Sequence, residues 1–282
     1  MPNSKEVFDR FISAITLDES MDEKRSISFL ILEHQFGIAK SQVIANTEVS
    51  EIDWQHLDTL VGRINKHEPI QYILGEQEFF GRTFFVNSHV LIPRPETELL
   101  VENVIVFGRQ RQPLVNILDI GTGSGCIPIT LALELPSANI FATDISEDAI
   151  AVAKANAARH NASVTFSRSD IVNEELPGQQ FDVIVSNPPY VMEKEKITMR
   201  NNVLNYEPHE ALFVSNDDPL LFYRIIATKA KENLKPKGLL TFEINEQFGE
   251  EMVQLLEKLG YSNIEIIKDF SGKDRIAKAI NE

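Results

Sequence analysis

The chain has 282 residues, room for roughly two domains at about 150 residues each, and its 43% apolar and 24% charged residues exclude a disordered tail, a collagen-like repeat or a coiled-coil rod. With 42 acidic against 27 basic residues the net charge is −15. Nucleic-acid affinity comes largely from neutralising phosphates, so this balance argues against a polyanion as the main ligand and favours a neutral or basic protein partner.

Residues 4–67 show helical periods only. Val7, Phe8, Phe11, Ile12 and Ile15 form one stripe, and Ile27, Leu30, Ile31 and Leu32 begin a second that ends near Gly37. Ser50, with Asp53 three residues on, predicts a capping box ahead of Trp54, Leu57, Leu60, Val61 and Ile64. A small helical bundle over residues 1–68 is expected. Between residues 69 and 92 the period changes, and two aromatic runs flank Gly81-Arg82, which predicts a hairpin linker with a type II′ turn. Pro93-Arg94-Pro95-Glu96-Thr97-Glu98 then reads as a rigid entry whose Thr or Glu caps a helix carrying Leu99, Leu100, Val104 and Ile105.

From there strands alternate with helices, at about 115–120, 139–143, 163–167, 181–186, 239–244, 263–268 and 275–281, so residues 93–282 predict an α/β domain with a mainly parallel sheet. The six residues between the last two strands are too few for a crossover helix, so that pair is expected to be antiparallel. The lone Cys126 excludes a disulfide framework and a multi-thiolate zinc site, and the six scattered histidines lack ligand spacing, so no metal is expected. The first residues lack the basic and apolar regions of a signal peptide, and no apolar run approaches 18 residues; a cytoplasmic protein without membrane contact is expected.

Val115–Ile120 leads into Gly121-Thr122-Gly123-Ser124-Gly125 and then a helix, where Pro128 is tolerated because first-turn amides lack helical partners. Glycines there allow a sharp turn and close approach of a ligand to helix-start N–H groups. Taken alone, such a loop is equally a plain strand-to-helix turn. Asp144, 23 positions past Gly121, is placed to accept ribose hydroxyls, while position 126 is Cys and not the third glycine of a dinucleotide site. Together with Asp119, this carboxylate lining would repel a pyrophosphate and favours an adenosyl ligand without phosphates. Asp170 and Ile171 follow the next strand and are candidate adenine contacts, with a helix N-cap as the alternative for Asp170.

Strand 181–186 ends in Asn187-Pro188-Pro189-Tyr190. Residues just past the carboxyl ends of strands face the ligand crevice of an open α/β sheet. The prolines hold Asn187 and Pro188 extended, so a planar –NH2 group can donate one hydrogen to the Asn187 side chain and one to the Pro188 carbonyl, with Tyr190 packed on the conjugated plane. Drawing both hydrogens to one side restores lone-pair character to a nitrogen otherwise delocalised. Asn187, Pro188 and Tyr190 are therefore the candidate catalytic residues, and Asn187 through Tyr190 the candidate substrate site. The alternative is a strand-ending turn.

Seven strands ending in a hairpin resemble the class I methyltransferase variant of the Rossmann fold, and Asp119-x-Gly121-x-Gly123-x-Gly125 resembles its S-adenosylmethionine loop. Asn-Pro-Pro-Tyr resembles the signature of methyltransferases acting on planar nitrogens. Glu68–Gly75, Phe79-Phe80-Gly81, Leu91–Glu98 and Asp269–Arg275 narrow it, since from about residue 68 onward they resemble the peptide chain release factor glutamine methyltransferases, the PrmC/HemK family. The resemblance implies methylation of the side-chain amide of the glutamine in the Gly-Gly-Gln motif of class 1 release factors. It implies S-adenosylmethionine held by Gly121, Thr122, Gly123, Ser124, Gly125, Asp144, Asp170, Ile171 and Asn187, and a bundle that helps grip the release factor. A monomer is expected, with no direct nucleic-acid contact. Two departures from the family pattern, Pro128 where small residues are usual and Glu243-Ile244-Asn245, which lacks the glycine expected after the Glu, are read as peripheral to the chemistry. Arg94 and Glu96 are open between the active-site mouth and a loop salt bridge, and Glu207 is read as a loop residue. The competing readings are an N6-adenine nucleic-acid methyltransferase and a cofactor-binding regulator without activity.

Overall fold

The structure is a computed structural model, which describes residues 2–111 and 115–282. The chain divides into two compact units, one of residues up to 76 with 200–206, the other of residues 77–199 and 207–282. The first unit begins with helices α1 (Ser4–Ala14), α2 (Met21–Phe36), α3 (Lys40–Ala45), α4 (Trp54–Asn65) and α5 (Ile70–Leu74). Val7, Phe11, Ile31, Leu32, Leu57, Leu60 and Ile64 form its core, one apolar face from each of three helices. Gly37 ends α2 in the left-handed conformation, as its position predicts. Ser50 does not cap α4; Asp53 does, its carboxylate accepting from the His56 N–H.

A hairpin of β1 (Glu76–Phe79) and β2 (Arg82–Phe85) comes next, its residues from Gln77 on belonging to the second unit. Its turn sits one residue earlier than the sequence suggests, with Phe80 and Gly81 both at positive φ (52° and 67°), so the turn is of the I′ kind and not II′. Residues 70–74, expected within the hairpin linker, are helical. Next come α6 (Pro95–Arg109), β3 (Asn116–Ile120), α7 (Cys126–Glu134), β4 (Asn139–Asp144), α8 (Glu147–His160), β5 (Val164–Arg168), β6 (Phe181–Ser186) and a two-residue β7 (Val191–Met192). The entry to α6 differs from expectation: no side chain caps it, Pro95 starts it, and Thr97 and Glu98 reach other segments. The short α9 (Asn201–Leu204) belongs to the first unit. The chain finishes with α10 (His209–Leu212), β8 (Phe213–Val214), α11 (Leu221–Asn233), β9 (Leu234–Glu243), α12 (Gly249–Lys258), β10 (Tyr261–Lys268) and β11 (Asp274–Asn281).

Seven of these strands form one sheet in the order β10-β11-β9-β6-β3-β4-β5. Strands β9, β6, β3, β4 and β5 run parallel, and β11 lies antiparallel to both its neighbours. Period-two alternation sorts the side chains: Ile117, Val183, Val185 and Leu239 face α6, α7 and α8, while Leu118, Ile184, Leu240 and Phe242 face α11 and α12. A sheet covered on both faces has its open rim at the strand ends. The order reverses between β3 and β6, and there the glycine loop and the Asn-Pro-Pro-Tyr turn emerge side by side.

Candidate active site

The glycine loop is tied down by backbone. The N–H groups of Gly121 and Thr122 both donate to the Thr143 carbonyl of β4, at 2.9 and 3.0 Å. Gly125 has φ of +80°, and a Cβ there would fall 2.9 Å from Ile129 Cδ1 and 3.0 Å from Ala153 Cβ, so the loop packs against α7 and α8 only because that position lacks a side chain. From α8 the fully buried Asn156 donates to the Ser124 carbonyl at 2.9 Å and closes a two-way bond with the Phe85 backbone, at 2.6 and 3.0 Å. One carboxamide thereby fixes the back of the loop and the end of β2.

Two carboxylates stand at the loop. Asp144 accepts from the Gly123 N–H at 2.8 Å through one oxygen and from the Ser146 N–H at 2.9 Å through the other; burial holds it above the usual carboxylate range. Asp119 is completely buried, and neither of its oxygens has a hydrogen-bond partner among the described residues; burial pushes its pKa up to about 7, with Thr122 opposing the shift and the nearby Asp144 charge adding to it. The Thr122 hydroxyl, close by, also lacks a partner by distance and angle.

In front of the loop lies a cavity of about 350 Å³, within the range of small-molecule sites. Gly121, Gly123 and Asp144 line one wall, Asp170 and Ile171 another, and Asn187, Pro188 and Pro189 a third, with Val90, Leu91, Pro208 and Ala211 over them. Thr122, Ser124 and Gly125 do not line it; Thr122 and Ser124 are buried behind the loop. Asp170 borders the cavity, yet its carboxylate accepts from the Asn173 side chain at 2.8 Å and the Val172 N–H at 2.9 Å, contacts that hold it below the usual range. It caps a turn and lines the cavity at once.

Behind Asn187 is a buried polar network. Register pairs Ser186 of β6 with Phe242 of β9, which sets Glu243 next to Asn187. The Thr97 hydroxyl donates to Glu243 Oε2 at 2.6 Å, the Tyr190 hydroxyl donates to Glu243 Oε1 at 3.0 Å, and Asn187 Nδ2 donates to Thr97 Oγ1 at 3.4 Å. Asn245 Nδ2 donates to the Tyr190 carbonyl at 3.3 Å. Burial raises the Glu243 carboxyl, opposed by the Thr97 and Tyr190 hydrogen bonds; burial and the Glu243 charge raise Tyr190 well above an ordinary phenol. Tyr190 therefore points its hydroxyl into this network and is not among the residues lining the cavity. The reading of the Glu243-Ile244-Asn245 segment as peripheral is corrected: Glu243 and Asn245 hold the Asn-Pro-Pro-Tyr turn. A carboxylate at the end of the apolar run Leu239–Phe242, beside that turn in the sheet, was the available signal.

Glu207 is also more than a loop residue. Its side chain is 1% exposed, and it accepts from Arg94 Nη2 at 2.5 Å and from the Ile92 N–H at 3.1 Å. Arg94 is thus a salt-bridge partner and lines no part of the cavity; Glu96 does not line it either.

Family models place a PrmC N-terminal domain over residues 13–75 and a methyltransferase small domain over residues 95–210. A release factor glutamine methyltransferase of Flavobacterium psychrophilum is 45% identical over 273 residues, covering 95% of this chain and 96% of the relative. The chain belongs to the release factor glutamine methyltransferase family. A second member, from Bacteroides thetaiotaomicron, is 44% identical, with 92% of this chain and 93% of that one covered. Among solved structures, a methyltransferase from Pyrococcus furiosus matches 81% of this chain and 98% of its own at a TM-score of 0.52 and 20% identity, a likeness of fold. The seven-stranded sheet with its antiparallel C-terminal strands is the methyltransferase architecture that the strand count implies. No described helix is long and apolar enough to cross a membrane.

Proposed function

We propose that the protein transfers a methyl group from S-adenosylmethionine to the side-chain amide nitrogen of the glutamine in the Gly-Gly-Gln motif of class 1 release factors. The observation that carries this reading is the juxtaposition, in one cavity, of Asp144 and the glycine loop with Asn187 and Pro188, in a chain of this family.

The residues present fit the cofactor. Asp119 stands directly behind the glycine loop and does not itself line the cavity, while Asp144 brings a carboxylate to the wall and no Lys or Arg is among the residues around it to bind a pyrophosphate. Asp144 keeps lone pairs free for ribose hydroxyls after accepting two backbone N–H groups. Ile171 and Leu91 supply apolar surface for a purine ring. When bound, S-adenosylmethionine supplies an electrophilic methyl on a sulfonium.

The chain's own contribution is to orient the acceptor. The Asn187 oxygen and the Pro188 carbonyl take the two amide hydrogens of the substrate glutamine, which turns its nitrogen lone pair toward the cofactor side of the cavity. Neither group titrates, so catalysis rests on alignment of the acceptor and not on a strong base. Tyr190, anchored through Glu243, supports the turn from behind. The N-terminal unit is assigned to gripping the release factor, supported by the match to the PrmC N-terminal domain.

The test is incubation of the protein with isotopically labelled S-adenosylmethionine and a full-length class 1 release factor, followed by mass spectrometry. A single methyl group on the Gly-Gly-Gln glutamine is expected. Labelling of DNA or ribosomal RNA in place of the release factor would overturn the reading in favour of an adenine methyltransferase.

A further inference from the structure

The Asn187 carboxamide has two ends of nearly equal shape, and the chemistry proposed above works with only one of them facing the substrate. If Nδ2 faced the cavity, it would present hydrogens to an amide –NH2 that also carries only hydrogens. Nothing on Asn187 itself sets the choice. The polar network behind it does.

Thr97 is 3% exposed and Glu243 1% exposed, and the bond between them is short, 2.6 Å. A hydroxyl has one proton to give, and this one is committed to a carboxylate oxygen, a charge-assisted contact roughly twice as strong as a neutral one. Facing Asn187, Thr97 Oγ1 can then only accept. The atom of Asn187 that lies 3.4 Å from it must be a donor, which is Nδ2, and Oδ1 is left to face the cavity. The other oxygen of Glu243 accepts from the Tyr190 hydroxyl at 3.0 Å, so the carboxylate is tied to the far end of the Asn187–Tyr190 turn directly and to Asn187 through Thr97.

We propose that Thr97 and Glu243 are positioning residues, a relay that fixes the Asn187 carboxamide with its oxygen toward the acceptor amide. The inference deepens the function proposed above and rests on it for its catalytic meaning, but the orientation of Asn187 can be measured without turnover. Neither residue touches substrate; both act through Asn187.

Thr97→Val keeps the side-chain shape and removes the hydroxyl, while Thr97→Ser keeps the hydroxyl. The first readout is hydrogen exchange of the Asn187 side-chain –NH2, followed by NMR on the full chain. Exchange accelerates in Thr97→Val and stays close to wild type in Thr97→Ser. The second is steady-state methylation of a release factor: kcat falls roughly 10- to 100-fold in Thr97→Val while the release factor KM changes less than about threefold, and Thr97→Ser restores most of the loss. The third is a double-mutant cycle, in which Thr97→Val added to Asn187→Ala costs less than about a further twofold. Unchanged exchange in Thr97→Val, or additive losses in the cycle, overturns the relay, the latter by showing that Thr97 acts structurally. A wild-type chain inert toward release factors but with Asn187 exchange responsive to Thr97→Val overturns the functional reading and leaves the relay standing.

Discussion

Removing the Glu207 side chain tests whether the upper wall of the cavity is held by one buried carboxylate. In Glu207→Ala the Ile92 N–H, on a residue 2% exposed, loses its acceptor, and a buried donor left unpaired costs about 1–3 kcal/mol. Breaking a buried ion pair costs about 3–5 kcal/mol when the partner stays desolvated; the Arg94 side chain is 34% exposed and regains water, so this part shrinks to about 1–2 kcal/mol. About 3 kcal/mol in all is expected, and Glu207→Gln, which keeps one acceptor oxygen, should lose about half. The two segments joined by Glu207 are those that bring Val90 and Leu91, and Pro208 and Ala211, to the cavity, so S-adenosylmethionine should bind about tenfold more weakly to Glu207→Ala. Urea unfolding reports the stability change if followed by far-ultraviolet circular dichroism; the sole tryptophan, Trp54, lies in the other unit and is a poor probe of this one. Calorimetry reports the affinity. A midpoint shift worth less than about 0.5 kcal/mol, with unchanged affinity, would refute the idea that Glu207 braces this wall.

Other changes probe the remaining walls. Asn187→Ala should lower methylation of release factors by about 10²–10³-fold, leaving a measurable remainder, with S-adenosylmethionine affinity within about threefold of wild type by calorimetry; equal loss of both would mark the turn as structural. Asp119, with its pKa raised to about 7, binds its proton more tightly folded than unfolded, so its contribution to stability is full below about pH 4 and drains away as pH rises toward 7. Without ligand, Asp119→Asn should therefore gain on wild type by a few kcal/mol between pH 4 and pH 8 in urea titrations; a pH-independent difference would contradict the burial argument. Asp144 and Glu243 are raised as well, which is why the difference between variant and wild type is the quantity to follow. Gly125→Ala combines a left-handed backbone with a contact onto Ala153 and Ile129 and should cost about 2–4 kcal/mol in the same titration; a neutral effect would show that the loop can back away.

The parts of the site that are local in sequence were readable. A strand, a glycine run and a helix start in one stretch dictate their own geometry, as do two prolines after an apolar strand, and both stretches meet at the cavity. The strand positions were legible to within a few residues for the same reason: alternation is written in each segment. What could not be read is what depends on distant partners. Thr97 looked like a helix cap because a hydroxyl in a first helical turn usually serves the backbone, but its partner lies 146 residues away. Glu243 looked like a strand terminus and Glu207 like loop, since nothing near either reveals that β9 sits beside β6 or that Arg94 folds back to residue 207. The hairpin turn was misplaced by one residue because an aromatic at positive φ, Phe80, is rare, and here Glu98 holds its N–H at 2.7 Å.

The strand order carries a consequence for assembly. β11 is threaded between β9 and β10, both of which precede it in the chain, so the sheet cannot grow outward from its middle one neighbour at a time. Until Asp274–Asn281 slots in, β9 presents an unpaired rim bearing Leu239, Leu240 and Phe242, and β10 has no strand to pair with. A nascent or truncated chain halted before that insertion displays an adhesive border to its neighbours, and the final zip of eight residues, made from both sides at once, is what seals it.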